Sequence, residues 1–140
     1  MSFSWRSALR GFTLAGMLLA VEPAHAEYLR IQLRVYGLDC ELCARGVSAS
    51  VERLNGVKSV EVSLKKGILD ITLTPGNTFK MSDLRKRIRE NGFRSMEATV
   101  TALGKFDGSK FEVLGSGESF EVSNPESKGP PPVEFTFEIH

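Results

Sequence analysis

Apolar and polar residues alternate from Tyr28 to Tyr36. Leu29, Ile31, Leu33 and Val35 fall on one side, and Arg30, Gln32 and Arg34 on the other. That period-two pattern predicts a half-buried strand. Gly37-Leu38-Asp39-Cys40 interrupts it. From Glu41 to Leu54 the apolar positions Cys43, Val47, Val51 and Leu54 recur at helical spacing, which predicts one buried stripe on a helix. Asn55-Gly56 is a C-terminal stop, since both residues tolerate a left-handed backbone. Alternation returns at Val60, Val62 and Leu64, and again at Leu69, Ile71 and Leu73. With Lys65-Lys66-Gly67 between them, the two runs predict a β-hairpin. After the turn cluster Thr74-Pro75-Gly76-Asn77, Met81, Leu84 and Ile88 mark a second helix that ends at Asn91-Gly92. A further strand starts near Phe93 and runs past Val100.

The order strand, helix, strand, strand, helix, strand predicts an α+β domain of the ferredoxin-like βαββαβ type. Its sheet has four antiparallel strands and both helices on one face. This topology brings the loops Leu38–Cys43, Lys65–Gly67 and Asn91–Phe93 to one end. Beyond Thr101 the chain changes character. Phe106, Phe111, Val113, Phe120, Val122, Phe135, Phe137 and Ile139 sit in short alternating runs. Asp107-Gly108 and Gly115-Ser116-Gly117 have the composition of hairpin turns. Ser123 to Pro132, rich in Pro, Ser and Gly, reads as a loop. Residues 101–140 are therefore expected to add two or three strands, as a C-terminal β-rich extension of unknown role.

The first 26 residues fit none of this. Arg6 and Arg10 precede an apolar run from Gly11 to Val21, and Ala24-His25-Ala26 follows. This is the layout of a secretory signal peptide, with cleavage expected after Ala26. The apolar run is about half the ~20 residues a membrane span requires. The expected organisation is thus a cleaved signal peptide (1–26), a core domain (27–100) and the extension (101–140). The mature protein is expected to be exported, to the periplasm in a Gram-negative source, with no membrane span. The whole chain has 18 basic and 17 acidic residues. Loss of Arg6, Arg10 and Glu22 leaves the two equal in number. That balance argues against nucleic acid as a partner and makes long-range electrostatic steering weak.

The chemistry is concentrated in Cys40-Glu41-Leu42-Cys43. A Cys pair at this spacing serves metal binding, thiol redox chemistry or a structural disulfide. The predicted site lies where a loop meets a helix N-terminus. Backbone N–H groups there lack intrahelical partners, and the helix dipole adds roughly half a positive charge. Both favour thiolate, the form that binds metal. Two thiolates on a loop suit a soft ion of low coordination number, chiefly Cu(I), whereas Zn(II) normally takes four ligands. Asp39 is the nearest possible third ligand, or else a cap for the helix beginning near Glu41. Lys65 and Lys66, on the neighbouring loop, could offset the negative charge of a bis-thiolate site, or be plain turn residues. A crowd of cations on the second helix (Arg85, Lys86, Arg87 and Arg89) reads first as a solvated face and second as a docking patch.

Residues 28 to about 95 resemble the heavy-metal-associated domain family, which includes copper chaperones, N-terminal domains of metal-transporting ATPases and a periplasmic mercury-binding protein. The resemblance rests on Gly37-Leu38-Asp39-Cys40-Glu41-Leu42-Cys43 at the end of the first strand, on Val47, on Leu54-Asn55-Gly56-Val57, on Val60-Glu61-Val62 and on Gly92-Phe93. It implies one bound heavy-metal ion held by Cys40 and Cys43. Cu(I) is favoured, with Zn(II) or another soft divalent ion such as Hg or Cd as alternatives. It also implies hand-over by ligand exchange with another metal carrier or a metal-transporting membrane protein. Leu38 stands where the family has Met, and is expected to point inward. Asp39 replaces the common Thr or Ser and resembles a third ligand of some zinc, cadmium and lead exporters. Phe93 is expected beside the metal loop, as a shield.

The function expected is therefore that of an exported metallochaperone or scavenger, not an enzyme. A periplasmic thiol–disulfide oxidoreductase using the same Cys pair is the alternative, since such pairs are often catalytic in oxidising compartments. The element order is wrong for a thioredoxin-like sheet, and no aromatic residue directly precedes Cys40. His140, the terminal residue, is the one histidine expected after cleavage, which gives a Ser-His-Asp set little support.

Overall fold

The structure is a computed structural model that describes residues 27–122 and 133–140. The expected signal peptide and the Ser123–Pro132 loop lie outside those residues. Strand β1 (Glu27–Tyr36) leads through residues 37–40 into helix α1 (Glu41–Glu52). Strands β2 (Val57–Ser63) and β3 (Ile68–Leu73) form the hairpin, and helix α2 (Met81–Glu90) precedes strand β4 (Arg94–Asp107). These six elements appear in the expected order. The strands run β2-β3-β1-β4, all antiparallel. Val47 and Val51 of α1 and Met81, Leu84 and Ile88 of α2 are buried in one cluster with Ile31, Leu33, Leu69, Ile71 and Val100 of the sheet. The opposite face of the sheet is polar, with Arg30 and Gln32 bonded to Asp70 and Arg34 paired with Glu97.

Two details differ from the periodicity. Tyr28 is fully buried, while Leu29, expected on the core face, is only half-buried. The pairing of β1 with β4 shifts register between Tyr28 and Arg30. The bulge adds a residue and so exchanges the faces of the two side chains. The second detail is β4 itself. It passes Val100 without interruption and runs 14 residues to Asp107, so the boundary drawn at residue 100 falls inside a strand.

The extension adds three strands to the same sheet: β5 (Lys110–Val113), β6 (Ser119–Glu121) and β7 (Val133–Ile139). Strand β5 pairs with the distal end of β4, and β6 with β5. Strand β7 pairs with β4 over Ala98–Gly104. Thr99 of β4 has Gln32 of β1 as one neighbour and Glu138 of β7 as the other, so β7 lies along the edge of β4 that β1 leaves open. The rings of Phe106, Phe111, Phe135 and Phe137 pack against one another with centroids 4.8–6.0 Å apart. Gly104 is required where β4 meets β5, because a Cβ there would run into the backbone oxygen of Glu112 and the ring of Phe111.

The extension also reaches the start of α2. Lys80, the residue before that helix, supplies no side-chain cap. The carboxylate of Glu118 does so instead. It accepts from the backbone amides of Met81 at 2.8 Å and Ser82 at 3.2 Å, two of the donors a helix start leaves without intrahelical partners. The same carboxylate accepts from the buried Tyr28 hydroxyl. Burial, reinforced by the neighbouring Glu118, pushes the Tyr28 phenol far above its ordinary pKa.

Candidate metal centre

Gly37 ends β1 with φ +83°, in the left-handed region that glycine occupies without strain. The turn lets Leu38 enter the core, where it is 3% exposed, as expected. Asp39 stays exposed. Cys40 takes an extended conformation and occupies the N-cap of α1. Its sulfur accepts a hydrogen bond from the Cys43 amide, N···S 3.1 Å. Asp39 is therefore not the cap of this helix. The sulfur one residue nearer holds that place, and no side-chain bond from Asp39 to α1 is made.

Cys43 lies in the first turn, partly buried against the core beside Ala44 and Val47. The two cysteines are joined as a disulfide, with Cα atoms 5.2 Å apart. The sulfurs thus already converge on one point at the mouth of the helix. Two-electron reduction would leave two thiol groups at that point. The amide end of α1 lies beside them, with the Cys43 amide donating to Cys40 Sγ.

The flanking loops are where the topology put them. Lys65 and Lys66, both exposed, line a cleft with Leu38, Asp39 and Met96. The hairpin turn is tied to the end of β1 by a bond from the Val35 amide to the Gly67 carbonyl, 2.8 Å. On the other side Phe93 lines a second cleft with Tyr36, Gly37, Arg89, Gly92 and Arg94. Its ring reaches to 4.0 Å of the space above Gly37. All six residues singled out from the sequence are therefore at one end of the domain: Cys40 and Cys43 at the centre, Asp39, Lys65 and Lys66 to one side, Phe93 to the other. Among the described residues no group of three or more His, Cys, Asp or Glu side chains converges as a ready-made metal cage, so Asp39 is not gathered with the two sulfurs into a three-ligand set.

The sequence reading left out Tyr36, Leu42, Met96 and Arg94, which also border this end. Each stands at an element end or in the motif itself, where periodicity says nothing about exposure. Of the cations crowding α2, Lys86 and Arg87 pair with Glu90, and Arg85 donates to Ser95. Only Arg89 points its position toward the metal loop.

Comparison with known proteins agrees with this geometry. Residues 32–94 match the heavy-metal-associated domain. The copper chaperone CopZ of Bacillus subtilis is 31% identical over 61 residues, which cover 44% of this chain and 87% of CopZ. Copper-transporting ATPase RAN1 of Arabidopsis thaliana is 29% identical over 82 residues, 55% of this chain and 8% of the ATPase. The chain thus spans less than a tenth of the transporting ATPases it matches. A solved copper binding domain from HMA7, a P-type ATPase, aligns with a TM-score of 0.45 at 29% identity, over 49% of this chain and 90% of that domain. The likeness to CopZ spans most of that protein, and the family match at residues 32–94 takes in the Cys pair, both helices and the Gly92-Phe93 turn. This chain belongs to the heavy-metal-associated domain family.

Proposed function

We propose that the reduced protein binds one soft metal ion, Cu(I) in the first place, between the thiolates of Cys40 and Cys43, and carries it to or from another protein outside the cytoplasm. The observation that carries this reading is the convergence of both sulfurs at the N-terminus of α1, with the Cys43 amide on Cys40 Sγ. Two sulfur donors with no further protein ligand gathered beside them suit an ion content with two-fold coordination, which favours Cu(I) over Zn(II). The relatives named for copper chaperoning and transport point the same way. Lys65 and Lys66 stand where their charge opposes that of a bis-thiolate complex. Phe93 limits access of water from the α2 side. Export rests on the signal-like first 26 residues.

Native mass spectrometry of the reduced protein, titrated with Cu(I) and separately with Zn(II), tests the reading. One Cu(I) per chain is expected, lost in Cys40→Ser and in Cys43→Ser. Equal stoichiometry in wild type and both variants would overturn it. Amino-terminal sequencing of the protein from a cell envelope fraction tests export, with Glu27 expected as the first residue.

A further inference from the structure

Strand β7 bonds to β4 and to no further strand among the described residues. Its outer edge therefore presents backbone amides and carbonyls without strand partners. Beside it the surface is hollowed into a groove of about 370 Å³, between β7 and the end of β6. Val122, Phe135 and Phe137 give the groove its apolar lining. Val122 and Phe137 are buried, and Phe135 is half-buried. Glu121, Thr136 and Glu138 complete the border. This place belongs to the extension. The family match ends at residue 94, and β7 pairs with β4 only from Ala98 onward, beyond the turn that flanks the cysteines.

Glu134 and Glu138 alternate with Phe135 and Phe137 along β7. They share the polar face of the sheet with Thr136, whose hydroxyl meets that of Thr101 at 2.9 Å. Glu121 stands across the groove on β6. All three carboxylates are exposed. None makes an ion pair among the described residues, whereas Asp70, Glu97, Glu41, Glu90 and Glu112 all do. Lys110 faces Glu121 in the β5–β6 ladder without closing a pair. The pattern disfavours one occupant and favours another. Two copies joined edge to edge about Thr136 would set Glu134 of each against Glu138 of the other, and like charges directly opposite weaken a strand pair. A strand that alternates lysine or arginine with apolar residues meets the reverse. Its cations oppose Glu134 and Glu138, and its apolar side chains continue the row of Phe135 and Phe137.

We infer that the open edge of β7 receives an extended segment of another protein, alternating cationic and apolar residues, as an added strand of the sheet. Main-chain hydrogen bonds to β7 hold the segment, and the groove beside Phe135 and Phe137 takes its apolar side chains. Glu121, Glu134 and Glu138 select its charge and fix its register. The inference stands apart from the metal reading, since it uses neither cysteine and no residue of the loops around them. It gives residues 101–140 a role of their own: they carry a second place of contact on the far part of β4.

The probe is a rhodamine-labelled peptide as long as β7, capped at both termini, in which lysine alternates with valine. Its binding to the full-length mature protein is followed by fluorescence anisotropy, and its place by amide shifts. Saturable binding is expected at low salt, weaker as salt rises, with the largest shifts at residues 133–139. Glu134→Lys with Glu138→Lys is expected to weaken it by about tenfold or more. A peptide with serine in place of valine is expected to bind less tightly, and one with a central proline, which cannot complete a ladder, to bind least. Several results would overturn the inference: no saturable binding of the lysine–valine peptide, equal binding of a glutamate–valine peptide, or affinity that survives the charge reversal. So would shifts centred away from β7, or a proline peptide as tight as the first. Protection of the amides of 133–139 that rises with protein concentration alone would assign the edge to a second copy, and is equally fatal. Should the reversal variant not fold, Glu134→Gln with Glu138→Gln replaces it, with weaker binding again expected and unchanged affinity again decisive against the inference.

Discussion

Cys40 Sγ accepts the Cys43 amide at 3.1 Å, so one sulfur is at once the N-cap of α1 and one half of the proposed metal site. A cap residue satisfies a backbone donor that the helix itself leaves open. In the proposed complex the lone pairs of the same sulfur would also bind a soft cation. The amide thus polarises the sulfur that caps it, so a substitution at this position acts on both helix and site.

The two roles separate by chemistry. Ser at position 40 is a stronger cap but a poor soft-metal ligand, and Ala is neither. Cys40→Ser is expected to lose Cu(I) while the reduced protein keeps its stability, and Cys40→Ala to lose Cu(I) together with about 1 kcal/mol of stability. Urea unfolding under reducing conditions, beside chelator competition, reads both. Equal stability for the two variants would show that the sulfur contributes nothing as a cap.

Lys65→Ala with Lys66→Ala is expected to weaken Cu(I) binding by less than about tenfold, and less again at high salt, because both ammonium groups are exposed and screened. Competition titrations at two ionic strengths measure the effect. Unchanged affinity at low salt would leave the two lysines as plain turn residues.

The Glu118 carboxylate ties Tyr28, Met81 and Ser82 together. Glu118→Ala leaves a phenol and two helix-start amides without their acceptor, and is expected to cost about 2 kcal/mol or more. The pH dependence has a definite sign. The Tyr28 phenol titrates higher in the folded than in the unfolded chain, so its contribution is intact below the unfolded value near pH 10 and declines above it. Urea unfolding at pH 8 and pH 11 is expected to show a loss in wild type that is smaller in Tyr28→Phe.

At the acid end the Asp70 carboxylate, hydrogen-bonded by Arg30 and Gln32, titrates below its ordinary range. Its contribution is present above the unfolded value near pH 4 and fades as pH falls through the lower folded value. Asp70→Asn is expected to flatten the stability profile below pH 4. The change should be small, because Arg30 is well exposed to solvent.

Gly104→Ala probes the extension alone. The added methyl meets backbone, not the far end of a flexible side chain. A loss of about 1–3 kcal/mol is expected, with Cu(I) affinity unchanged. Denaturation midpoints and chelator competition on the same sample check the pair of outcomes.

The six elements of the metal-binding core were readable because each announces itself locally. Val47 and Val51, or Met81, Leu84 and Ile88, repeat at helical spacing, and Asn55-Gly56 and Asn91-Gly92 end the helices with residues suited to it. The convergence of Cys40, Cys43, Lys65, Lys66 and Phe93 followed from topology once the order of elements was known. What escaped depends on partners far along the chain. The inward turn of Tyr28 comes from a bulge against β4, which no alternation in β1 records. The cap on α2 comes from Glu118, 37 residues beyond Met81. The cap on α1 was missed for another reason. The usual oxygen-bearing candidate, Asp39, stood next to a sulfur that took the position instead.

Strand β7 runs beside β4 for seven residues, from Ala98 to Gly104. A bare flank there would offer its amides and carbonyls to any passing chain, including a twin of this one. With 133–139 laid along it, that flank is taken up and the free margin passes outward to β7, whose Glu134 and Glu138 bring charge to it.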